Sequence, residues 1–178
     1  FSAHDLMDNE LPWFIMDILR DSKLPPNKLV AEITEQAMVQ DLDNATKVVT
    51  RLRDLGIRIA IDDFGTGYSS LSHLKKLPVD ELKIDRSFVA SLTENPADAA
   101  IVSTTIDLAH KLDLKVVAEG VGSGKVYHWL QSHGIDRAQG FYWSKPMPGA
   151  ALAEWVDNFS GGSTMFMPAL DPQQFESA

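Results

Sequence analysis

A β/α barrel built on parallel strands is the fold class this sequence predicts, and three observations predict it. Short apolar runs alternate with helical patterns at roughly 20 to 35 residues per unit, the rhythm of a parallel sheet covered by helices. Glu32, Asp62, Asp63, Lys83, Glu119 and Gln139 all fall at the carboxyl ends of the apolar runs, the face on which barrels build active sites. No GxGxxG and no phosphate-loop lysine pattern follows any run, which removes the main sign of the competing open, doubly wound sheet. Five strands are visible where a barrel has eight, so the front of the barrel is expected to lie outside these 178 residues.

The elements justify that reading in turn. Leu11, Phe14, Ile15, Ile18 and Leu19 have the spacing of a helix with one buried face, stopped by Pro25 and Pro26. A strand from Lys28 to Ile33 follows and runs into Glu32, Thr34 and Glu35; period two puts Glu32 and Thr34 on one face. Asp43 is the expected N-cap of a helix whose stripe is Val48, Val49, Leu52 and Leu55 and whose end is Gly56. The strand from Ile57 to Ile61 delivers Asp62 and Asp63, and after a glycine loop Ser69 or Ser70 opens a short helix through Leu71 and Leu74. Val79 to Ile84 is a third strand, with Lys83 and Asp85 expected on one face. Pro96 starts a helix burying Ile101, Ile106, Leu108, Ala109 and Leu112, and the strand Leu114 to Ala118 ends in Glu119-Gly120. A helix around Tyr127, Trp129 and Leu130, a weakly patterned strand from Ile135 to Ala138 ending in Gln139-Gly140, and a helix from about Pro148 to Val156 complete the series. The segment from Ser160 to Ala178, with Met165-Phe166-Met167-Pro168, is expected to be an extension packed on the domain.

The stretch Ile59-Ala60-Ile61-Asp62-Asp63-Phe64-Gly65-Thr66-Gly67-Tyr68 sits at the centre of this pattern. Two adjacent carboxylates at the end of a buried strand repel each other, and a cation beside them relieves the repulsion. The plainer alternative is that Asp63 caps a turn, with Gly65 and Gly67 supplying positive φ. Acidic ligands without cysteine or a histidine at a strand end suit hard cations such as Mg²⁺ or Mn²⁺. Glu32, Asp62 and Asp63 could hold two ions that share a carboxylate, activate a water and clamp a phosphodiester. Lys83 would then neutralise charge on phosphoryl oxygen, and Glu119 would complete a metal site or act as base. The structural alternative for Lys83 is a salt bridge to Asp85, and His4, His73, His110, His128 and His133 read as surface or packing residues.

Composition narrows the classes further. A formal net charge of -9 argues against polynucleotide binding, and the absence of cysteine excludes disulfides, thiolate metal sites and a cysteine nucleophile. No run reaches the length of a membrane span and no signal peptide precedes the first helix, so a soluble, cytoplasmic segment without membrane contact is expected. Phe1-Ser2-Ala3 reads like the middle of a segment, which suggests a larger polypeptide, with fused signalling domains upstream and any membrane anchor in other domains.

Five motifs carry a resemblance. Glu32-Ile33-Thr34-Glu35, Asp62-Asp63-Phe64-Gly65-Thr66-Gly67-Tyr68-Ser69-Ser70-Leu71, Leu82-Lys83-Ile84-Asp85-Arg86-Ser87-Phe88-Val89, Val117-Ala118-Glu119-Gly120-Val121 and Gln139-Gly140-Phe141 with Ser144-Lys145-Pro146 closely resemble the EAL domain family. The resemblance runs from residue 1 to about 158, leaving 159–178 as a C-terminal extension. It implies a modified TIM-type β/α barrel, of which this chain would cover roughly the last three quarters, and metal-dependent hydrolysis of cyclic di-GMP to linear pGpG in bacterial second-messenger signalling. It implies two ions, Mg²⁺ or Mn²⁺, with Glu32 and Asp62 as ligands, Asp63 as ligand to the second ion, and Glu119 as a metal ligand or general base. Lys83 matches an essential catalytic lysine, Glu35 a glutamate that steadies the loop after Asp63 and is counted with the catalytic groups, and Gln139 a residue of the substrate-binding region. A homodimer through the loop and helix at 64–77 is also implied. The family's name-giving glutamate and a metal-binding asparagine would precede Phe1, and Gly122 stands where the family usually has a glutamate. Two other readings fit the residues: a cyclic di-GMP receptor or interaction module without catalysis, and an enolase-like barrel that sets carboxylates and lysines around Mg²⁺.

Overall fold

The computed structural model describes residues 1–35, 37, 41–65, 74 and 77–160. Among them, β1 (Val30–Thr34), β2 (Arg58–Phe64), β3 (Glu81–Ile84), β4 (Lys115–Ala118) and β5 (Arg137–Ala138) form one parallel sheet in that spatial order. Each strand lies beside its predecessor, so the sheet has no reversal of strand order of the kind that marks a doubly wound fold. The progression is that of a barrel wall, with β1 and β5 at its edges.

The two faces of the sheet differ because side chains alternate. One face presents Ala31, Ile33, Ile59, Ile61, Leu82, Ile84, Val116 and Ala118, all 3% exposed or less. They share a core with helices α1 (Leu11–Asp21), α2 (Leu42–Asp54), α4 (Pro96–Lys111) and α5 (Gly124–Ser132), through residues such as Leu19, Val49, Leu52, Ile106 and Leu130. Each such aliphatic side chain contributes about 1.5 to 3 kcal/mol on burial, enough to hold the helices on that face alone. The intervening positions, Glu32, Arg58, Ala60, Asp62, Glu81, Lys83, Val117 and Arg137, make the other face, which is polar and carries the site.

Several expectations are corrected. Helix α2 is capped by Asp41, whose carboxylate accepts from Asn44 N at 3.0 Å; Asp43 lies inside the first turn. Helix α1 buries Pro12, Ile15 and Leu19 but leaves Phe14 65% and Ile18 49% exposed, because one residue turns a helix by about 100° and only a narrow stripe faces the core. The same holds in α4, where Val102 and Thr105 are buried and Ile101 is 41% exposed. Asp85 does not extend β3; it caps a helix the sequence reading omitted, α3 (Arg86–Ser91), accepting from Ser87 N at 2.9 Å. The last helix, α6, runs over Gly149–Ser160. The helix expected to open at Ser69 or Ser70, His73 and the segment 161–178 lie outside the described residues.

A break in pairing matters most. Ile61 pairs with Leu82 and Phe64 with Ile84, so Asp62 and Asp63 together face the single residue Lys83. This is a β-bulge, the device that re-aims side chains beside active sites, and Asp63 adopts the left-handed conformation (φ 55°) that aspartate tolerates better than most residues. The strand therefore carries both acids within it, where the sequence placed them after its end.

Candidate active site

Lys83 stands at the centre of the polar face, its side chain only 6% exposed. Its Nζ lies 2.8 Å from Glu32 Oε1, 3.0 Å from Asp62 Oδ1 and 2.6 Å from Glu119 Oε1, joining β1, β2 and the end of β4 to β3. Burial alone lowers a lysine pKa, but the contacts with Glu119, Glu32 and Asp62 outweigh it, and the ammonium is held well above its ordinary value. The alternative of a Lys83–Asp85 bridge gives way to these three acids. Three carboxylates around one ammonium leave a surplus of negative charge.

Asp62 Oδ1 is buried, and although it lies near Nζ it lacks the alignment of a hydrogen bond. Asp63, next along the bulge, has its pKa raised by burial and then by the charges of Asp62 and Asp85. The Glu119 carboxyl is likewise raised, by burial first, with Lys83 opposing. One oxygen from each of Asp62, Asp63 and Glu119 falls within a group no wider than 4.8 Å. Glu32 stands outside that group and reaches the site through Lys83. Glu35 is buried, and its Oε2 accepts from Gly65 N at 3.1 Å, tying β1 to the turn after Asp63.

Glu119 and Gln139 are delivered by two loops in close contact. Gln139 N donates to Ala118 O (2.9 Å), Val121 N donates to Gln139 O (3.0 Å), and the Gln139 amide donates to Glu119 Oε1 at 2.7 Å. Glycine is required at both crossings: a Cβ at Gly120, where φ is 67°, would come within 2.5 Å of Arg86 Cβ, and one at Gly140 within 2.3 Å of Val121 O. Beside Glu119 opens a cleft of about 810 Å³ lined in part by Arg86, Gly122, Phe141 and Lys145, within the size range of small-ligand sites.

The sequence reading missed a second charged layer. Two residues before Lys83, buried Glu81 accepts from Arg58 of β2 (2.8 Å) and from Arg137 of β5. It also missed Asp136, which accepts from Val116 N (3.0 Å), Lys115 Nζ (2.7 Å) and lies 2.9 Å from His110 Nε2, fixing the entry to β5. Burial raises this carboxyl, but the hydrogen bonds from Lys115, His110 and Val116 prevail and bring it down to about 2. Period two, counted back from Lys83 and Gln139, is the signal that points to Glu81 and Arg137.

Comparison with known proteins decides the relationship. The EAL domain model matches residues 1–146. The chain belongs to the EAL domain family. Among relatives of this EAL domain, the bifunctional diguanylate cyclase/cyclic di-GMP phosphodiesterase MucR of Pseudomonas aeruginosa is 45% identical over 135 residues, 76% of this chain and 20% of the relative. The solved EAL domain of Mycobacterium smegmatis DcpA is 44% identical with a TM-score of 0.84, covering 89% of this chain and 71% of that one. The Klebsiella pneumoniae BlrP1 manganese/cyclic di-GMP complex is 35% identical with a TM-score of 0.76, covering 82% and 37%. The chain spans 16% to 27% of the length of the curated relatives it matches. No helix among the described residues is long and apolar enough to cross a membrane.

Proposed function

We propose that this EAL domain hydrolyses cyclic di-GMP to linear pGpG with the help of divalent metal ions, Mg²⁺ or Mn²⁺. The observation that carries the reading is the gathering of Glu32, Asp62 and Glu119 on buried Lys83, with Asp63 alongside. The donor set fits a hard cation: it is all carboxylate, it has a negative surplus, and Asp62 Oδ1 is a buried acceptor without a hydrogen bond. Glu32, Asp62, Asp63 and Glu119 are the residues that would hold the ions. Ions bound there supply a water of lowered pKa and screen the charge of the phosphodiester.

The chain's own residues do the rest. Water oxygen attacks phosphorus, the bond from phosphorus to the 3′ oxygen breaks, and the water's proton passes to Glu119 Oε2, since Lys83 and Gln139 engage Oε1. Lys83 faces the charge that grows on the phosphoryl oxygens, and the departing 3′ oxygen takes a proton from solvent. Glu35 holds the turn that carries Asp63. Residues 1–158 serve as the catalytic domain and 159–178 as an extension, in a cytoplasmic signalling protein with further domains. The chain pairs with a second copy through 64–77, a stretch of which only Phe64, Gly65, Leu74 and Leu77 are described.

Chromatography of cyclic di-GMP incubated with the full-length protein and Mn²⁺ or Mg²⁺ tests the proposal. Conversion to pGpG, abolished by EDTA, is expected. Intact substrate with either metal contradicts it, and tight binding without turnover would favour the catalytically silent receptor instead.

A further inference from the structure

We infer that Gln139 is a positioning residue for Glu119, setting the orientation of that carboxylate; the inference rests on the hydrolase reading above. Lys83 Nζ stands within 3.0 Å of three carboxylates, Glu32, Asp62 and Glu119, and reaches Glu119 at Oε1 alone. It therefore offers Glu119 one contact, and a carboxylate held by one contact still turns about its broad terminal torsion. The Gln139 amide supplies the second contact, at 2.7 Å and on the same oxygen, Oε1, that Lys83 engages at 2.6 Å. Two donors converging on one oxygen fix the carboxylate plane and assign the other oxygen, Oε2, to the reaction.

The backbone around Gln139 is built to deliver that amide. Its N and O bond to Ala118 and Val121, the residues that flank the Glu119-Gly120 pair, so the backbones that carry the two side chains are tied together. Gly140 permits the approach, since a Cβ there would overlap the backbone of Val121. One residue before the short strand β5, Asp136 is tied to β4 through Val116 N, and within β5 Arg137 is tied across the sheet to Glu81. A two-residue edge strand with three independent anchors is a rigid platform for one side chain.

The test uses full-length protein carrying Gln139→Met, which keeps the length and loses the donor, and Gln139→Glu, which sets a second carboxylate against Glu119. In steady-state turnover of cyclic di-GMP, kcat is expected to fall about 10- to 100-fold for Gln139→Met and further for Gln139→Glu, with KM within about threefold of the parent. A tenfold or greater rise in KM with kcat preserved would overturn the inference and make Gln139 a substrate contact; so would two unchanged constants. A crystal structure of Gln139→Met gives a readout that does not need activity: the Glu119 carboxylate is expected to rotate or split into two orientations, and an unmoved carboxylate would overturn the inference. Wild-type protein that turns over nothing would defeat the hydrolase reading and leave that crystallographic outcome to decide this one.

Discussion

The same strands carry two charged layers on one face of the sheet, and they are built on opposite principles. In the lower layer Arg58 and Arg137 close on buried Glu81, so the one buried acid is more than matched, and the spare positive charge sits on partly exposed guanidinium groups. In the upper layer, two residues and about 7 Å along the strands, Glu32, Asp62 and Glu119 crowd Lys83 and leave negative charge uncompensated. Burying ions is costly unless they are paired. A buried acid fully met by its own cations can serve the fold by itself, whereas acids left in excess around one buried cation mark the place where a further positive charge is meant to arrive.

Substitutions in the two layers should therefore separate activity from stability. Lys83→Met is expected to give the largest effect, a loss in kcat on the order of 10³-fold in cyclic di-GMP hydrolysis, and retention of most activity would break the contrast. Glu81→Leu leaves two guanidinium groups facing one another in the lower layer, so a loss of about 3 kcal/mol is expected in urea denaturation, while metal affinity of the folded protein persists. Asp136→Asn should cost about 2 kcal/mol, the free energy of a carboxyl held near 2 against an ordinary 3.8. Because the folded pKa is depressed, that stabilisation is present above pH 3.8 and is lost as pH falls toward 2; the wild type and variant should converge in acid. The smallest effect sharpens the comparison from outside both layers: Asp41→Ala should remove the cap of α2 and about 1 kcal/mol of thermal stability, with kcat unchanged.

Much of this arrangement could be read from the chain before any coordinates. Alternation of strands and helices and the acids at strand ends are local patterns, and Glu32, Asp62, Lys83 and Glu119 do converge. The bulge at Asp62-Asp63 was hidden because it is a mismatch between two strands, and pairing register is not written in either strand alone. The lower layer was hidden because Arg58, Glu81 and Arg137 are far apart in sequence, and a lone arginine at the start of a strand reads as a solvated side chain. Periodicity places Phe14, Ile18 and Ile101 on apolar stripes but does not specify a stripe's width; how much of it is covered depends on what packs against it. Caps show the same limit: Asp41 and Asp43 both stand at the start of α2 and only the backbone conformation selects one, while Asp85 reads as a cap only once the short helix α3 is known.

The claim on which the account turns is that the upper layer holds divalent cations and the lower layer does not. Calorimetric titration of Mn²⁺ into the full-length protein, into Asp62→Asn and Glu119→Gln, and into Glu81→Gln tests it directly. Binding by the wild type and by Glu81→Gln, weakened at least tenfold in the two upper-layer variants, is the predicted result. Mn²⁺ affinity that is absent from the wild type, or indifferent to Asp62 and Glu119, would contradict it.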